Sequence, residues 1–263
     1  MKAYGLDSHI AEIYDQTETQ TADVALIRRL LAGRAGLRIL EPFCGNGRIL
    51  LPLASDRHEV VGMDVAEAML DSARAKAALL PQAVRERVTL LNLDVLTGDW
   101  PSRFDLVILG GNCFYELATP EEQEGCVRRA ALALRPGGYI YVDNNHMEGP
   151  LPPDWCNPAV QAGRFPTGTC ADGTRLEGTT QTIWHDAPSR LVRFRRTVTV
   201  TRPDGTVQRY EYTEQKHPVS GAEVRGWLEH HGFVVESMYG DRQGSPYTEA
   251  SPRAIFWACR GRS

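Results

Sequence analysis

Four segments of this sequence carry residues that can do chemistry. The first is Glu41-Pro42-Phe43-Cys44-Gly45-Asn46-Gly47. Two glycines one residue apart, where an apolar run gives way to a helix-like stretch, let a ligand approach the backbone because no side chain intervenes. The helix start that follows offers N–H groups without intrahelical partners. A dinucleotide fingerprint places a third glycine near position 50; here Leu50 stands there, and an acidic residue, Glu41, precedes Gly45 by four positions. The second segment ends in Asp64, 17 residues after Gly47. A planar carboxylate at that place accepts two hydrogen bonds from the vicinal hydroxyls of a ribose. The third is Leu93-Asp94-Val95, whose carboxylate can accept from an adenine amino group while a neighbouring N–H serves a ring nitrogen. The fourth is Gly110-Gly111-Asn112-Cys113-Phe114-Tyr115-Glu116-Leu117. Taken singly, each fits a tight turn or a helix cap. At this spacing, together, they point to a bound nucleoside.

These segments need strands to end on. Leu37–Phe43, Val60–Asp64, Phe104–Gly110 and Tyr139–Asp143 are near-continuous apolar runs, with a weaker one at Val88–Leu93. Runs of that kind are expected of parallel strands buried on both faces. Helix-like stretches at 47–55, 66–80 and 120–134 separate them. The third has Thr119 as cap, Pro120 at its first position, Glu122 completing a capping box, and Arg135-Pro136-Gly137-Gly138 as its stop. This alternation predicts an α/β sandwich whose ligands bind at the carboxyl ends of the strands. Residues 146–218 change character to a loop followed by antiparallel strands. Val192, Phe194, Val198 and Val200 alternate with Arg193, Arg195, Thr197 and Thr199, and Arg202-Pro203-Asp204-Gly205 makes a turn. The arginines at 190, 193, 195 and 196 are read as a solvated strand face, since no aromatic residues interleave them as a nucleic-acid surface would need. Residues 219–263 return to one helix, capped by Ser220 and Glu223 and stopped by Gly232, and strands near Val234–Met238 and Ala254–Ala258.

Composition bounds the function. Hydrophobic residues are 42% and charged residues 24% of 263, ordinary globular usage. With 29 Lys+Arg against 33 Asp+Glu the formal net charge is −4, a poor basis for gripping phosphates. No apolar run approaches the ~20 residues of a membrane span. The opening MKAYGLDSHI has no apolar signal region, and the six cysteines are scattered without C-x-x-C spacing. A cytoplasmic protein with reduced thiols is expected. The histidines show no H-x-x-x-H spacing, so no metal site is expected.

The order ExxxGxG, acidic end of the second strand, Asp after the third, FDLVILGGN and LRPGGYIYVD resembles the class I S-adenosylmethionine-dependent methyltransferases over about residues 36–145. Within that superfamily the chain is similar to the glycine N-methyltransferase-like small-molecule enzymes. The support is Gly111-Asn112-Cys113-Phe114, the antiparallel insert, and the ending Gly240-Asp241…Tyr247…Ser251-Pro252-Arg253. The resemblance implies a Rossmann-like seven-stranded sheet with an antiparallel last strand, sandwiched by helices, and S-adenosylmethionine lying along the strand ends. Glu41, Cys44, Gly45 and Gly47 would line its methionine part. Asp64 would hold the ribose, with Met63, Val65 and Met69 packed around the nucleoside, and Asp94 and Val95 would hold adenine. Gly111 would approach the sulfonium, with Asn112 beside the substrate. Tyr4 and Tyr14 match aromatics that close over the donor, so Tyr14 counts among both the donor-binding and the catalytic candidates. Two departures stand out. Phe43 replaces a small residue and crowds the methionine end. Asn145 occupies the place where glycine-methylating enzymes have a carboxylate-binding arginine, so no guanidinium fork is expected and the acceptor stays open.

The expected reaction is in-line methyl transfer to a nitrogen of a small molecule. An O-methyltransferase acting on a carboxylate or hydroxyl uses the same donor site and is the alternative, ahead of an NAD-dependent oxidoreductase or a non-catalytic donor-binding protein. Glu116, His146 and His217 are the candidate bases for an amine that must lose its proton. Tyr115, Tyr212, Asn112 and Asn145 are the candidate substrate contacts. Residues 1–145 with 219–263 form the expected core. The insert 146–218, too long for an ordinary connection, is expected to be a lid over the acceptor or else a homo-oligomer interface.

Overall fold

The computed structural model describes residues 3–261. Two helices that the sequence reading does not single out come first, α1 (His9–Thr17) and α2 (Ala22–Leu31). The chain then builds β1 (Arg38–Pro42), α3 (Leu50–Ser55), β2 (Glu59–Asp64), α4 (Glu67–Ala78), α5 (Gln82–Arg85), β3 (Val88–Asn92) and β4 (Phe104–Leu109). A short 3₁₀ turn, Cys113–Glu116, leads to α6 (Pro120–Ala133) and β5 (Leu134–Asn145). The insert holds α7 (Pro153–Cys156), β6 (Gln161–Gly163), β7 (Gly168–Thr169), β8 (Arg175–Asp186), β9 (Leu191–Thr201) and β10 (Val207–Lys216). The chain closes with α8 (Gly221–His230), β11 (Phe233–Tyr239) and β12 (Arg253–Arg260).

Seven strands make one sheet in the order β3-β2-β1-β4-β5-β12-β11. β3, β2, β1, β4 and β5 pair in parallel, while β12 runs antiparallel to both β5 and β11. The order reverses between β1 and β4, which opens a crevice at their carboxyl ends. Apolar residues cover both faces. Leu40, Val107 and Phe256 join one core with α6 and α8, and Ile39, Leu106 and Ile255 join the other with α2 and α3. This is the α/β sandwich the apolar runs predict and the Rossmann-like seven-stranded sheet the resemblance implies. The helix expected from 47 starts at Leu50, because Gly47 sits at φ +76° and helical backbone begins only beyond it. Thr119 caps α6 as expected, accepting from the Glu122 N–H at 3.2 Å. Arg135–Gly138 stop that helix but already lie within β5, with Gly137 at φ +74°. No helix among the described residues is long and apolar enough to cross a membrane.

The insert forms a second, antiparallel sheet in the order β10-β9-β8-β6, with β7 beside β8. Helix α1 is the wedge between the sheets. Ile10 and Ile13 pack on Leu176, Val198 and Val200 of the insert, while Ala11 packs on Ala66 and Met69 of the core. Polar ties fix the core side: Asp15 accepts from Lys76 Nζ (2.5 Å), from Ser72 Oγ (3.0 Å) and from the Asn46 amide.

A buried chain of charge joins the two halves of the sheet. Asp23, fully buried, takes a fork from Arg48 (2.9 and 2.6 Å). Burial opposes its ionisation, but the Arg48 pair holds its carboxyl below the usual value. Asp143, also fully buried on β5, accepts from Arg242 Nε at 2.7 Å and Arg253 Nε at 2.6 Å. Removing that carboxylate leaves Arg253 without an acidic partner and Arg242 with only Asp23, 3.7 Å away, so Asp143→Asn is expected to lower stability by about 3 kcal/mol. The midpoint of urea unfolding measures this, and an unchanged midpoint would contradict the role.

Candidate functional site

The crevice between β1 and β4 holds a cleft of about 560 Å³. Its floor is the loop after β1. Phe43 (φ +67°), Gly45 (φ +52°) and Gly47 (φ +76°) turn the backbone through the left-handed region, and a Cβ on Gly45 would meet Met69 Cε at 3.2 Å. Phe43 therefore bears the strain of a non-glycine residue at a binding loop. Its ring lines the cleft and packs on the core rather than filling the space. Cys44 turns its thiol into the sheet: a Cβ at Gly62 would lie 2.6 Å from its Sγ. Burial pushes that thiol well up, which removes it as a nucleophile.

Glu41 and Asp64 line the cleft as expected, whereas Asp94 does not. Asp64, at the end of β2, accepts from the Gly45 N–H and the Ala66 N–H, both at 2.9 Å. Each oxygen keeps a second lone pair for a hydroxyl. Burial raises its carboxyl above the usual value. Glu41 is buried at 4% exposure, and its Oε2 has no hydrogen-bond partner. Burial pushes its carboxyl well above the usual range, against the pull of Arg48. The Nε of Arg48, another lining residue, is likewise buried without a partner. An orphan acceptor and an orphan donor beside one loop match the ammonium and carboxylate of an amino-acid zwitterion. Buried polar atoms of this kind cost free energy until something pairs them. Tyr4 and Tyr14 close the opposite wall, edge to face with centroids 5.8 Å apart, and Phe165 of the insert packs on both. Burial raises the Tyr14 phenol to about 12, so it stays protonated. Gly111 (φ +63°) and Glu116 complete the lining.

Asp94, Val95 and Val65 lie beside this cleft, not in its lining. Asp94 closes its own turn by accepting from the Leu96 N–H at 2.7 Å. Val95 is a buried core residue whose carbonyl takes the Trp100 indole N–H at 3.0 Å, and Val65 is 39% exposed.

A second cleft of about 900 Å³ opens between the core and the insert, and Gly111 and Glu116 line both. Asn112, Tyr115 and Asn145 stand in its wall as expected. Their polar atoms also brace one another. Asn112 Oδ1 accepts from the Asn145 N–H (2.7 Å) and Arg253 Nη2 (2.8 Å), and Tyr115 donates to the Asn145 carbonyl (3.0 Å). Trp155, Phe165 and Phe194 supply an apolar surface.

Three expectations need correcting. His146 lines neither cleft: its Nε2 donates to the Ser251 carbonyl at 2.7 Å and its ring packs on Tyr247. His217 is buried against α6 and α8, its Nδ1 donating to Gln123 Oε1 at 2.9 Å and its Nε2 3.3 Å from Glu223. Tyr212 is also outside both linings, with a buried hydroxyl that lacks a partner; burial raises it to about 12. Nor are the four arginines one solvated face. Arg193 and Arg195 are exposed, but Arg196 pairs with Glu214 in the wall of the second cleft, and Arg190 donates to the Met147 and Gly149 carbonyls. Arg164, Arg196 and Lys216 are the lining residues the sequence reading passes over. Parity gave a signal for one of them: Arg196 shares its strand face with Phe194 and Val198. Elsewhere among the described residues Glu124, His230 and His231 bring possible metal ligands within 4.8 Å of one another, remote in sequence and outside both clefts.

The sheet and its switch-point crevice have the Rossmann-like fold of solved methyltransferases. Residues 39–138 match the family model described as a methyltransferase domain. The cypemycin N-terminal methyltransferase of a Streptomyces species is 24% identical over 91% of this chain and 94% of its own length. The 23S rRNA (uracil(1939)-C(5))-methyltransferase RlmD of Burkholderia thailandensis is 32% identical over 57% of this chain, which spans 30% of that relative's length. The solved CcbJ methyltransferase of Streptomyces caelestis shares the fold with a TM-score of 0.70, at 22% identity, over 99% of this chain and 98% of that one. Residues 39–138 are thus similar to a methyltransferase domain, and the solved structures that share the fold include methyltransferases bound to S-adenosylmethionine.

The donor cleft fits that cofactor. Glu41, Asp64 and Glu116 outnumber Arg48, which suits a ligand with a net positive charge. Burial raises the Glu41 carboxyl, and a paired ammonium would lower it again. Donor binding is then expected to release protons and to tighten as pH rises through the Glu41 titration. Calorimetry in buffers of different ionisation enthalpy reads this directly, and Glu41→Gln should abolish the release.

Proposed function

We propose that the chain transfers a methyl group from S-adenosylmethionine to a nitrogen of a small-molecule acceptor bound between the core and the insert. The observation that carries this reading is the junction of the two clefts at Gly111 and Glu116, with a carboxylate where an amine would face the donor. The donor supplies an electrophilic methyl on sulfur, so the chain's work is alignment and exclusion of water; holding reactants in place is worth roughly 7–11 kcal/mol. Gly111 leaves the approach to the sulfur free of a side chain. Glu116 orients an amine N–H and thereby its lone pair. Tyr4, Tyr14 and Phe165 keep water out. Burial resists ionisation of Glu116, but nearby positive charge, Lys216 foremost and Arg196 after it, holds its carboxyl below the usual value.

A recessed cleft walled by Trp155, Phe165 and Phe194 favours a small molecule over a nucleic acid. The antiparallel insert after β5 supports a place beside the glycine N-methyltransferase-like enzymes, and the volume favours an acceptor larger than glycine. The similarity to an N-terminal methyltransferase along nearly its full length supports nitrogen. The insert then acts as an acceptor lid on a core of 1–145 and 219–263.

The test is incubation with methyl-labelled donor and matched panels of amines, phenols and carboxylic acids. Label on nitrogen, located by fragmentation, supports the proposal. Transfer to oxygen alone would replace it with the O-methyltransferase reading.

A further inference from the structure

We infer that the acceptor bears a carboxylate and that Arg164 is its ligand. The starting point is a charge count in the second cleft. Arg164, Arg196, Lys216 and Glu116 line it, and Glu214 stands behind Arg196. Three cations face two carboxylates, so the cavity carries one positive charge in excess, opposite in sign to the acidic donor cleft next door.

The cations are not equivalent. Arg196 is committed to Glu214 through its Nε. Lys216, almost fully buried, donates to the Tyr115 carbonyl and lies 3.7 Å from Glu214. Arg164 lines the cleft, is exposed, and makes no side-chain hydrogen bond or ion pair with another described residue. Its backbone is held on both sides. It follows β6 directly, its carbonyl accepts from Thr167 Oγ1, and the next residue, Phe165, packs its ring 5.8 Å from Tyr4 in the donor wall. The backbone is thus fixed while the guanidinium stays uncommitted in the wall of the second cleft. A planar five-donor fork is matched by a carboxylate, which it binds with two parallel hydrogen bonds. A doubly charged phosphate would exceed the single positive charge available.

The same cleft has an apolar wall. Trp155 packs against Tyr115 at 5.5 Å and against Phe194 at 5.2 Å. The chemistry complementary to this cleft is an apolar or aromatic body with a carboxylate toward Arg164 and, resting on the nitrogen reading above, an amine toward Glu116. Arg164 on the insert thus supplies the guanidinium fork that Asn145 at the end of β5 does not.

The experiment is calorimetric titration of the protein saturated with S-adenosylhomocysteine, using 3-phenylpropanoate, its methyl ester and 3-phenylpropylamine as probes. The acid is expected to bind at least tenfold tighter than the ester or the amine. Arg164→Gln is expected to erase that preference, and Arg164→Lys to keep part of it. Unchanged affinity of both variants for S-adenosylhomocysteine shows that they fold. Equal affinity for acid and ester in the parent protein, or an acid preference that survives Arg164→Gln, overturns the inference. Because the readout is binding, failure to methylate any amine would count against the nitrogen reading and leave this result standing by itself.

Discussion

Replacing Asp64 with alanine is expected to weaken S-adenosylmethionine and S-adenosylhomocysteine binding about a thousandfold. The reasoning is local. Asp64 ends β2 beside the crevice, is 4% exposed, and is already aimed by the Gly45 and Ala66 N–H groups. Two vicinal hydroxyls add two hydrogen bonds to a charged acceptor, each worth ~1.5–3 kcal/mol. Loss of both at about 2 kcal/mol each is roughly three orders of magnitude in affinity. Alanine also frees the Gly45 N–H, so part of the loss comes through the loop. Asp64→Asn separates the two effects: it keeps one acceptor oxygen but turns an NH2 toward a donor, and an intermediate loss of about a hundredfold is expected. Calorimetry checks both variants, with circular dichroism as the control on folding. A folded Asp64→Ala protein that binds within tenfold of the parent would show that the ribose is held elsewhere, and with it the reading of the whole crevice would fall.

What could be read from the sequence divides by the range of the interaction that decides it. The strands β1, β2, β4 and β5 were legible because a strand buried on both faces needs a continuous apolar run, and Arg38–Pro42 or Phe104–Leu109 can satisfy no other environment as well. The caps of α6 and α8 were legible because their partners lie three residues away. Asp64 and Glu41 followed from their places at strand ends. Asp94 departs from expectation through a local turn, but most of the differences are long-range. His217 reads as a base beside the insert, yet Gln123, 94 positions earlier, claims its ring. Asn145 stands in the wall of the second cleft as expected, but Arg253 from β12 also donates to its Oδ1 at 2.5 Å. Helix α1 is short, and its few buried apolar residues divide between two partners, Ile10 and Ile13 toward the insert and Ala11 toward α4. The clearest missed signal was parity. Residues at 192, 194, 196, 198 and 200 share one strand face, so a charged Arg196 among apolar neighbours is a buried cation that must face either a counter-ion or a cavity; here it does both.

Glu116→Gln is expected to lower the rate of methyl transfer by about a hundred- to a thousandfold, well beyond the loss of donor affinity from removing one of the charges that line the donor cleft. The argument separates two roles for a carboxylate next to an amine. As a proton sink, Glu116 is a poor candidate. Its carboxyl sits below the usual value under the influence of Lys216 and Arg196. An ordinary alkylammonium near 10.4 lies about 6 units above a carboxylate, so net transfer of its proton to Glu116 costs about 8 kcal/mol. As a fixed negative charge, it is well placed. An amine nitrogen gains positive charge as the methyl arrives, and a preorganised carboxylate stabilises that charge more in the transition state than in the ground state, an effect commonly worth 10²–10³ in rate. Glutamine keeps the shape and an acceptor oxygen but removes the charge. The two roles make opposite statements about pH. If Glu116 acts by charge alone, the alkaline rise in kcat/KM follows each acceptor's own ammonium value, shifting from one amine to the next, and Glu116→Gln lowers the whole profile without moving it. A rise near the carboxylate range, common to all acceptors and absent from the Gln variant, would instead make Glu116 the base.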